Sequence, residues 1–151
     1  MAAPVTAKFE HLVLEIETET PGTYAKMCGL MDFTISRASQ VDTVETPQDC
    51  DDESLPYQTE RSVRALDVQL TNVSAVWAQQ SHQAMMDWFY SSSTKNIRIQ
   101  HVNAAVGDTE YEAGAALLTQ LDHQRTKGQK ITATVSIQFD GTPTRTAKVA
   151  P

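Results

Sequence analysis

Metal binding, proton transfer and nucleophilic attack each need particular side chains at particular spacings, and few such sets occur in this chain. His11, His82, His101 and His123 are scattered, with no two placed to share one helical or strand face as ligands. No HExxH pair occurs, so no metal site is expected. The densest titratable group is Asp49, Asp51, Asp52 and Glu53 around Cys50, where alternating carboxylates invite a calcium reading. The run lacks the central glycine and closing glutamate of an EF-hand loop, and a charge run of this kind is ordinarily solvated. A hydrolase using these carboxylates as acid and base is a weak alternative, because nothing in the run pairs with them.

Nucleophile and phosphate motifs are missing too. No glycine-rich phosphate cradle, G-x-S-x-G elbow or Cys/His/Asn grouping is found. Ser81 and His82 adjoin, but neighbours on a helix point about 100° apart and do not form a catalytic pair. Asn72-Val73-Ser74 matches a glycosylation sequon that is idle without a secretion signal. The expectation is a protein with no enzymatic activity and no cofactor.

The totals narrow the class further. A chain of 151 residues suits one domain with a substantial core and is short for two. With 40% hydrophobic and 21% charged residues it has the composition of an ordinary globular protein. The formal charge of −7 argues against a surface that grips nucleic acid, since phosphate affinity comes from clustered lysine and arginine. No long apolar run crosses a membrane, and Met-Ala-Ala-Pro-Val-Thr lacks the basic start and apolar core of a signal peptide, so the protein is expected to stay where it is made. Cys28 and Cys50, two cysteines in unlike contexts, are expected to be free thiols.

One stretch has helical periodicity: Trp77–Tyr90. Trp77, Ser81, Ala84, Met85, Trp88 and Phe89 fall on one face of a 3.6-residue helix, with Gln80, Gln83 and Asp87 turned away. The spacing predicts a core helix anchored by Trp77, Met85, Trp88 and Phe89, ended by Ser91-Ser92-Ser93. Strands are expected at His11–Thr18, Phe33–Thr46, Ser62–Val73, Ile97–Val102, Glu110–Asp122 and Lys130–Phe139, with at most one short strand between Pro21-Gly22 and Gly29. Lys130–Phe139 alternates most cleanly, with Ile131, Ala133, Val135, Ile137 and Phe139 on one face and Thr132, Thr134, Ser136 and Gln138 on the other. On Phe33–Thr46, Arg37 and Ser39 share the side of Phe33, Ile35 and Val41, which predicts partial burial. Residues 1–8 form an N-terminal arm and 141–151 a polar tail. Pro47–Arg61 is an acidic loop, long for a compact domain. The fold expected is mainly β with one α-helix, a β-sandwich or half-barrel in a single domain, 1–151.

An ordered set of features resembles the major tail tube proteins of long-tailed, non-contractile bacteriophages. Cys28-Gly29-Leu30 leads into Thr34–Gln40, and the acidic Asp49–Ser54 precedes Thr59-Glu60-Arg61. The helix ends Asp87-Trp88-Phe89-Tyr90, Lys95-Asn96-Ile97-Arg98-Ile99 follows, and the last alternating strand closes with Phe139-Asp140-Gly141. The resemblance implies a structural virion protein of the phage tail, assembled in the host cytoplasm. It further implies hexameric rings whose sheets complete a continuous β-barrel and stack into a hollow tube for genome delivery. Implied partners are other copies of the chain, the tape measure protein, the tail terminator and distal tail proteins. Double-stranded DNA passes through without specific binding.

On that resemblance Asp49, Asp51, Asp52, Glu53, Tyr57, Glu60 and Arg61 belong to an inter-subunit loop, loose in the free subunit and ordered on assembly. Asp42, Glu45 and Asp67, carboxylates on polar strand faces, are the candidates for a bore whose negative potential keeps DNA from adhering. The alternative is a β-barrel or sandwich binding module for a small ligand.

Overall fold

A computed structural model describes residues 2–27 and 29–151, with Gln79–Ser81 described by backbone alone. Cys28 and the side chains of Gln80 and Ser81 therefore lie outside the described residues. A 3-10 turn at Phe9–His11 precedes β1 (Leu12–Glu17), β2 (Tyr24–Lys26), β3 (Leu30–Thr46) and β4 (Gln58–Val76). Then come α1 (Gln79–Ser91), β5 (Lys95–His101), β6 (Thr109–Gln124), β7 (Thr132–Phe139) and β8 (Thr144–Ala147).

The eight strands among the described residues belong to one antiparallel sheet, seven of them in the order β2-β1-β5-β6-β7-β4-β3, with β8 beside β6. The architecture is thus an open sheet with one helix, and not a sandwich of two sheets. β8 was not expected, because Thr144–Ala147 is polar and exposed and carries no apolar alternation. It pairs with β6 at Ala113↔Thr144, just beyond the β6–β7 partners Ala116↔Phe139, so it continues β7 along the same edge. Part of the expected polar tail is therefore strand.

The sheet is curled, which its own side chains demonstrate. Arg37 on β3 reaches Glu112 on β6 at 2.5 Å, although β7 and β4 lie between those strands in the sheet. One core cluster takes side chains from both ends, including Leu14 of β1, Ile97 and Ile99 of β5, and Val68, Leu70 and Val73 of β4. Ala133, Val135, Ile137 and Phe139 of β7 are buried while Thr132, Thr134 and Gln138 are exposed, as the alternation requires. Ile131, expected on the dry face, precedes the strand and is exposed.

Two bulges keep apolar residues inward where strict alternation would turn them out. Between Leu70 and Val73 the β4–β7 register shifts, and Asn72 takes a left-handed φ of 53°; both Leu70 and Val73 stay fully buried. A second shift between Leu118 and Gln120 lets Leu118 and Leu121 both pack on the core. Gly29 marks a third irregularity. At φ +84°, its absent Cβ would lie 2.6 Å from the Val76 carbonyl oxygen, so only glycine allows β3 to start this close to the end of β4.

The helix covers the core with a narrower stripe than its sequence suggests. Met85 and Trp88, one turn apart, are buried, whereas Ala84 and Phe89 are exposed and Trp77 precedes the helix. Phe89 lies one step round from Trp88, off the stripe, and meets the Tyr90 ring edge-on. Trp77 packs instead against the rings of His82 and His123, at 4.9 and 3.8 Å. The three serines end the helix as expected. Ser92 adopts φ 54°, the Ser91 hydroxyl donates to the Trp88 carbonyl, and the Trp88 indole N–H donates to the Ser93 carbonyl at 3.1 Å.

Candidate assembly surfaces

β3 and β4 outrun the rest of the sheet. They stay paired from Leu30↔Ala75 to Thr46↔Gln58, but β4 pairs with β7 only from Gln69 to Val76. The remaining residues, Gln58–Val68, run roughly 35 Å beyond the last β7 partner at about 3.3 Å per residue. Beyond Val68, whose side chain still joins the core, this two-stranded arm carries β-type alternation with no core to serve. Its register shifts once, at Gln40/Val41, where Arg64 is passed over and Leu66 and Val63 fall on the same face as Val41. Those three apolar residues continue the inward face of the sheet yet are 54%, 60% and 45% exposed. An apolar strip at this exposure is what a partner surface covers.

The expected Pro47–Arg61 loop is shorter than its composition suggests. Gln58–Arg61 belong to β4, with Glu60 opposite Val44 and Arg61 opposite Thr43. The turn that remains is organised by its own side chains and is not a structureless excursion. The Asp49 carboxylate accepts the Asp51 amide at 2.9 Å, Asp52 accepts the Ser54 amide and hydroxyl, and the Gln48 side-chain amide donates to the Pro56 carbonyl at 2.7 Å. The Ser54 hydroxyl and then its amide hold the Asp52 carboxyl below its ordinary value. Glu53 shares this turn and is exposed, as are Leu55, Tyr57 and the thiol of Cys50.

The three carboxylates expected on one wall divide between two faces. Asp67 lies opposite Ala38 and Asp42 opposite Ser62, both on the outward face, and Asp42 meets the Arg64 guanidinium at 3.7 Å. Glu45 lies three residues beyond Asp42 on a regular stretch of β3, so the period of two turns it to the other side. Asp42, Glu45 and Asp67 are therefore not one set.

Two charge clusters were not legible as sites in the sequence. At the root of the arm, Arg37 and His101 both face the Glu112 carboxylate, at 2.5 and 3.4 Å, and Glu112 is buried. The one hint was Arg37 itself, interrupting an apolar face. On the outward face of β1, β2, β5 and β6, the Arg98 guanidinium lies 4.4 Å from the ring centres of both Tyr24 and Tyr111 and binds Glu15 at 2.6 Å. Residues from four strands make that cluster, and no sequence spacing announces it. His11 meets Asn103 at 2.8 Å. Among the described residues, no three His, Cys, Asp or Glu side chains gather as metal ligands, and no helix is long and apolar enough to cross a membrane.

Comparison with known proteins identifies what such a chain is related to. No curated protein sequence matches it. Its fold is similar to a chain in the tail of an empty gene transfer agent particle, computed with helical refinement and C6 symmetry. That likeness has a TM-score of 0.76 at 12% identity and covers 94% of this chain and 100% of that one. A chain of the native gene transfer agent virion gives a TM-score of 0.73 at 11% identity, over 94% of this chain and 100% of that one. The SPP1 tail tube gives 0.68 at 9% identity, over 96% and 81%. At such identities these likenesses establish the fold. The phage tail tube protein family model matches residues 6–145, nearly the whole length, and the chain belongs to that family of structural tail tube proteins.

Proposed function

We propose that this protein polymerises as stacked hexameric rings into a hollow tail tube, a non-enzymatic conduit through which double-stranded DNA leaves the capsid. The observation that carries the reading is the arm: a long two-stranded extension with Val41, Val63 and Leu66 exposed along one face. Covering a half-exposed aliphatic side chain is worth about 1 kcal/mol, half the value for full burial. Three per copy bind weakly alone, but a ring repeats the contact around its axis. The family and the C6 symmetry of the related gene transfer agent tail support six copies.

The sheet's polarity suggests how rings stack. The antiparallel register places the acidic turn of Asp49, Asp51, Asp52 and Glu53 at one end of β4. At the other end, beside Val76↔Thr132, lies the β6–β7 turn with Arg125, Lys127 and Lys130. Opposite charges at the two ends favour head-to-tail contact. The inter-subunit set is thus Asp49, Asp51, Asp52, Glu53 and Tyr57 on the turn, with Glu60 and Arg61 on the strand beside it. Tape measure, terminator and distal tail proteins would set the tube's length and ends.

Size-exclusion chromatography with electron microscopy of the purified chain tests this. Rings or tubes are expected, and a compact monomer that holds a small ligand would favour a binding module. Replacing Asp51, Asp52 and Glu53 together with alanine should leave the subunit folded and impair polymerisation. Unchanged tube formation in that variant would remove the turn from the interface.

A further inference from the structure

We infer that the wall facing DNA is the outward face of β7, β4, β3 and the Leu117–Asp122 part of β6, and that it avoids holding DNA by presenting hydroxyl- and amide-bearing rows with more carboxylates than cations. The inference rests on the tube reading above and adds which face lines the bore. Cross-strand register assembles that face row by row. One row runs Leu117, Gln138, Gln69, Ser36 across the four strands, and another runs Asp122, Thr134, Ser74, Asp32. Gln120 opposes Ser136, and Thr34 opposes Thr71. Gln138 donates to Gln69 at 3.2 Å, which ties two of the amides to each other.

The cations settle the matter of adhesion. DNA is held through phosphates by lysine and arginine, and the strands of this face present one such residue, Arg64. Arg64 is occupied: its guanidinium donates to the Gln40 side-chain oxygen at 2.8 Å and lies 3.7 Å from Asp42. The acids on the face, Asp32, Asp42, Glu60, Asp67 and Asp122, are spread across three strands and leave it repulsive. No ring lies in these rows for a base to stack on.

The same side of the sheet changes character at β5 and β1. There Arg98 of β5 lies between Tyr24 of β2 and Tyr111, near the start of β6 and outside those rows, a cation with two aromatic faces. A passing polyanion would find both charge and stacking there, so that half belongs away from the bore. The opposite face of the four strands is committed to the core through Val68, Leu70, Val135 and Ile137.

Cysteine accessibility in assembled tubes tests the assignment. With Cys28 and Cys50 replaced by serine, Ser136→Cys and Gln69→Cys are each placed in tubes and treated with N-ethylmaleimide or with a polyethylene-glycol maleimide too large for the bore. Complete labelling by the small reagent and none by the large one is expected at both positions, with both reagents labelling after the tubes are dissociated. Gln100→Cys, on the β5 half, should not show that pattern. Labelling of Ser136→Cys by the large reagent on intact tubes would overturn the wall assignment while leaving the tube reading intact. Absence of any tube from the parent chain would overturn the tube reading first. If the variants do not assemble, a helical map of parent tubes decides, with Ser136 and Gln69 expected on the inner surface and their placement elsewhere contradicting the inference.

Discussion

β4 is one strand that lives in two environments, and the contrast between its halves explains the molecule. From Val68 to Ala75 it buries Val68, Leu70, Val73 and Ala75 against the helix and the curled sheet. From Gln58 to Leu66 it keeps the same pairing with β3 and buries nothing. Backbone hydrogen bonds alone contribute little net stability, since the unfolded chain makes equivalent bonds to water. An isolated two-stranded ribbon is marginal in water. The arm therefore depends on the body to start its pairing, and on something beyond the subunit to cover its apolar strip.

The largest break in this contrast should come from the body. Trp88→Ala empties a site where the side chain is 4% exposed and its indole is hydrogen-bonded, and should cost about 3–5 kcal/mol in a denaturant titration. A midpoint equal to the parent's would mean that this helix face does not carry the core.

Next comes the joint between arm and body. Arg37→Ala removes the hydrogen-bonded partner of the buried Glu112 carboxylate, leaving it His101 at 3.4 Å and Arg145 across the β6–β8 pair, and should cost about 1–3 kcal/mol, reduced from the fully buried case because the Arg37 side chain is half exposed. Thermal unfolding of the variant measures it. A loss no greater than that of Arg64→Ala, an exposed cation on the arm, would show the joint to be inert.

In the arm itself the expected stability change is close to zero. Val63→Ser with Leu66→Ser should shift subunit stability by no more than about 0.5 kcal/mol, the range for surface substitutions, and yet reduce tube formation measured by sedimentation. Equal sedimentation would remove the apolar strip from the interface.

The smallest effect belongs to the turn. Ser54 holds the Asp52 carboxyl below its ordinary value, so the turn's contact with Ser54 is fully present above that ordinary value. It is lost as pH falls through the lowered one. Carboxyl chemical shifts followed by NMR should place Asp52 below other exposed aspartates, and Ser54→Ala should return it to them.

How much of this was legible in the sequence follows from how local each signal is. The helix and the alternation of β7 depend on neighbours a few residues apart, and Met85, Trp88, Val135 and Ile137 lie where periodicity puts them. Phe89 falls off the buried face that periodicity predicts because a helix on a curved sheet buries a narrow stripe, and its width depends on the sheet. Glu45 and Asp42 both read as carboxylates on polar strand faces, but the strand's period of two puts them on opposite sides. The turn is shorter than its composition predicts because Gln58–Arg61 pair with β3 through backbone groups that polar side chains do not reveal. Arg37, Glu112 and Arg98 find partners 75 or 83 residues away, and such contacts exist only once the sheet has formed.

Whether the arm is built to be covered by another copy is tested most directly by a helical reconstruction of tubes grown from the purified chain. Six copies per ring are expected, with Val41, Val63 and Leu66 of each copy packed beneath a neighbour and the acidic turn seated against an adjoining subunit. A tube in which that strip faces solvent, or a chain that remains a monomer under conditions where related tubes assemble, would contradict it.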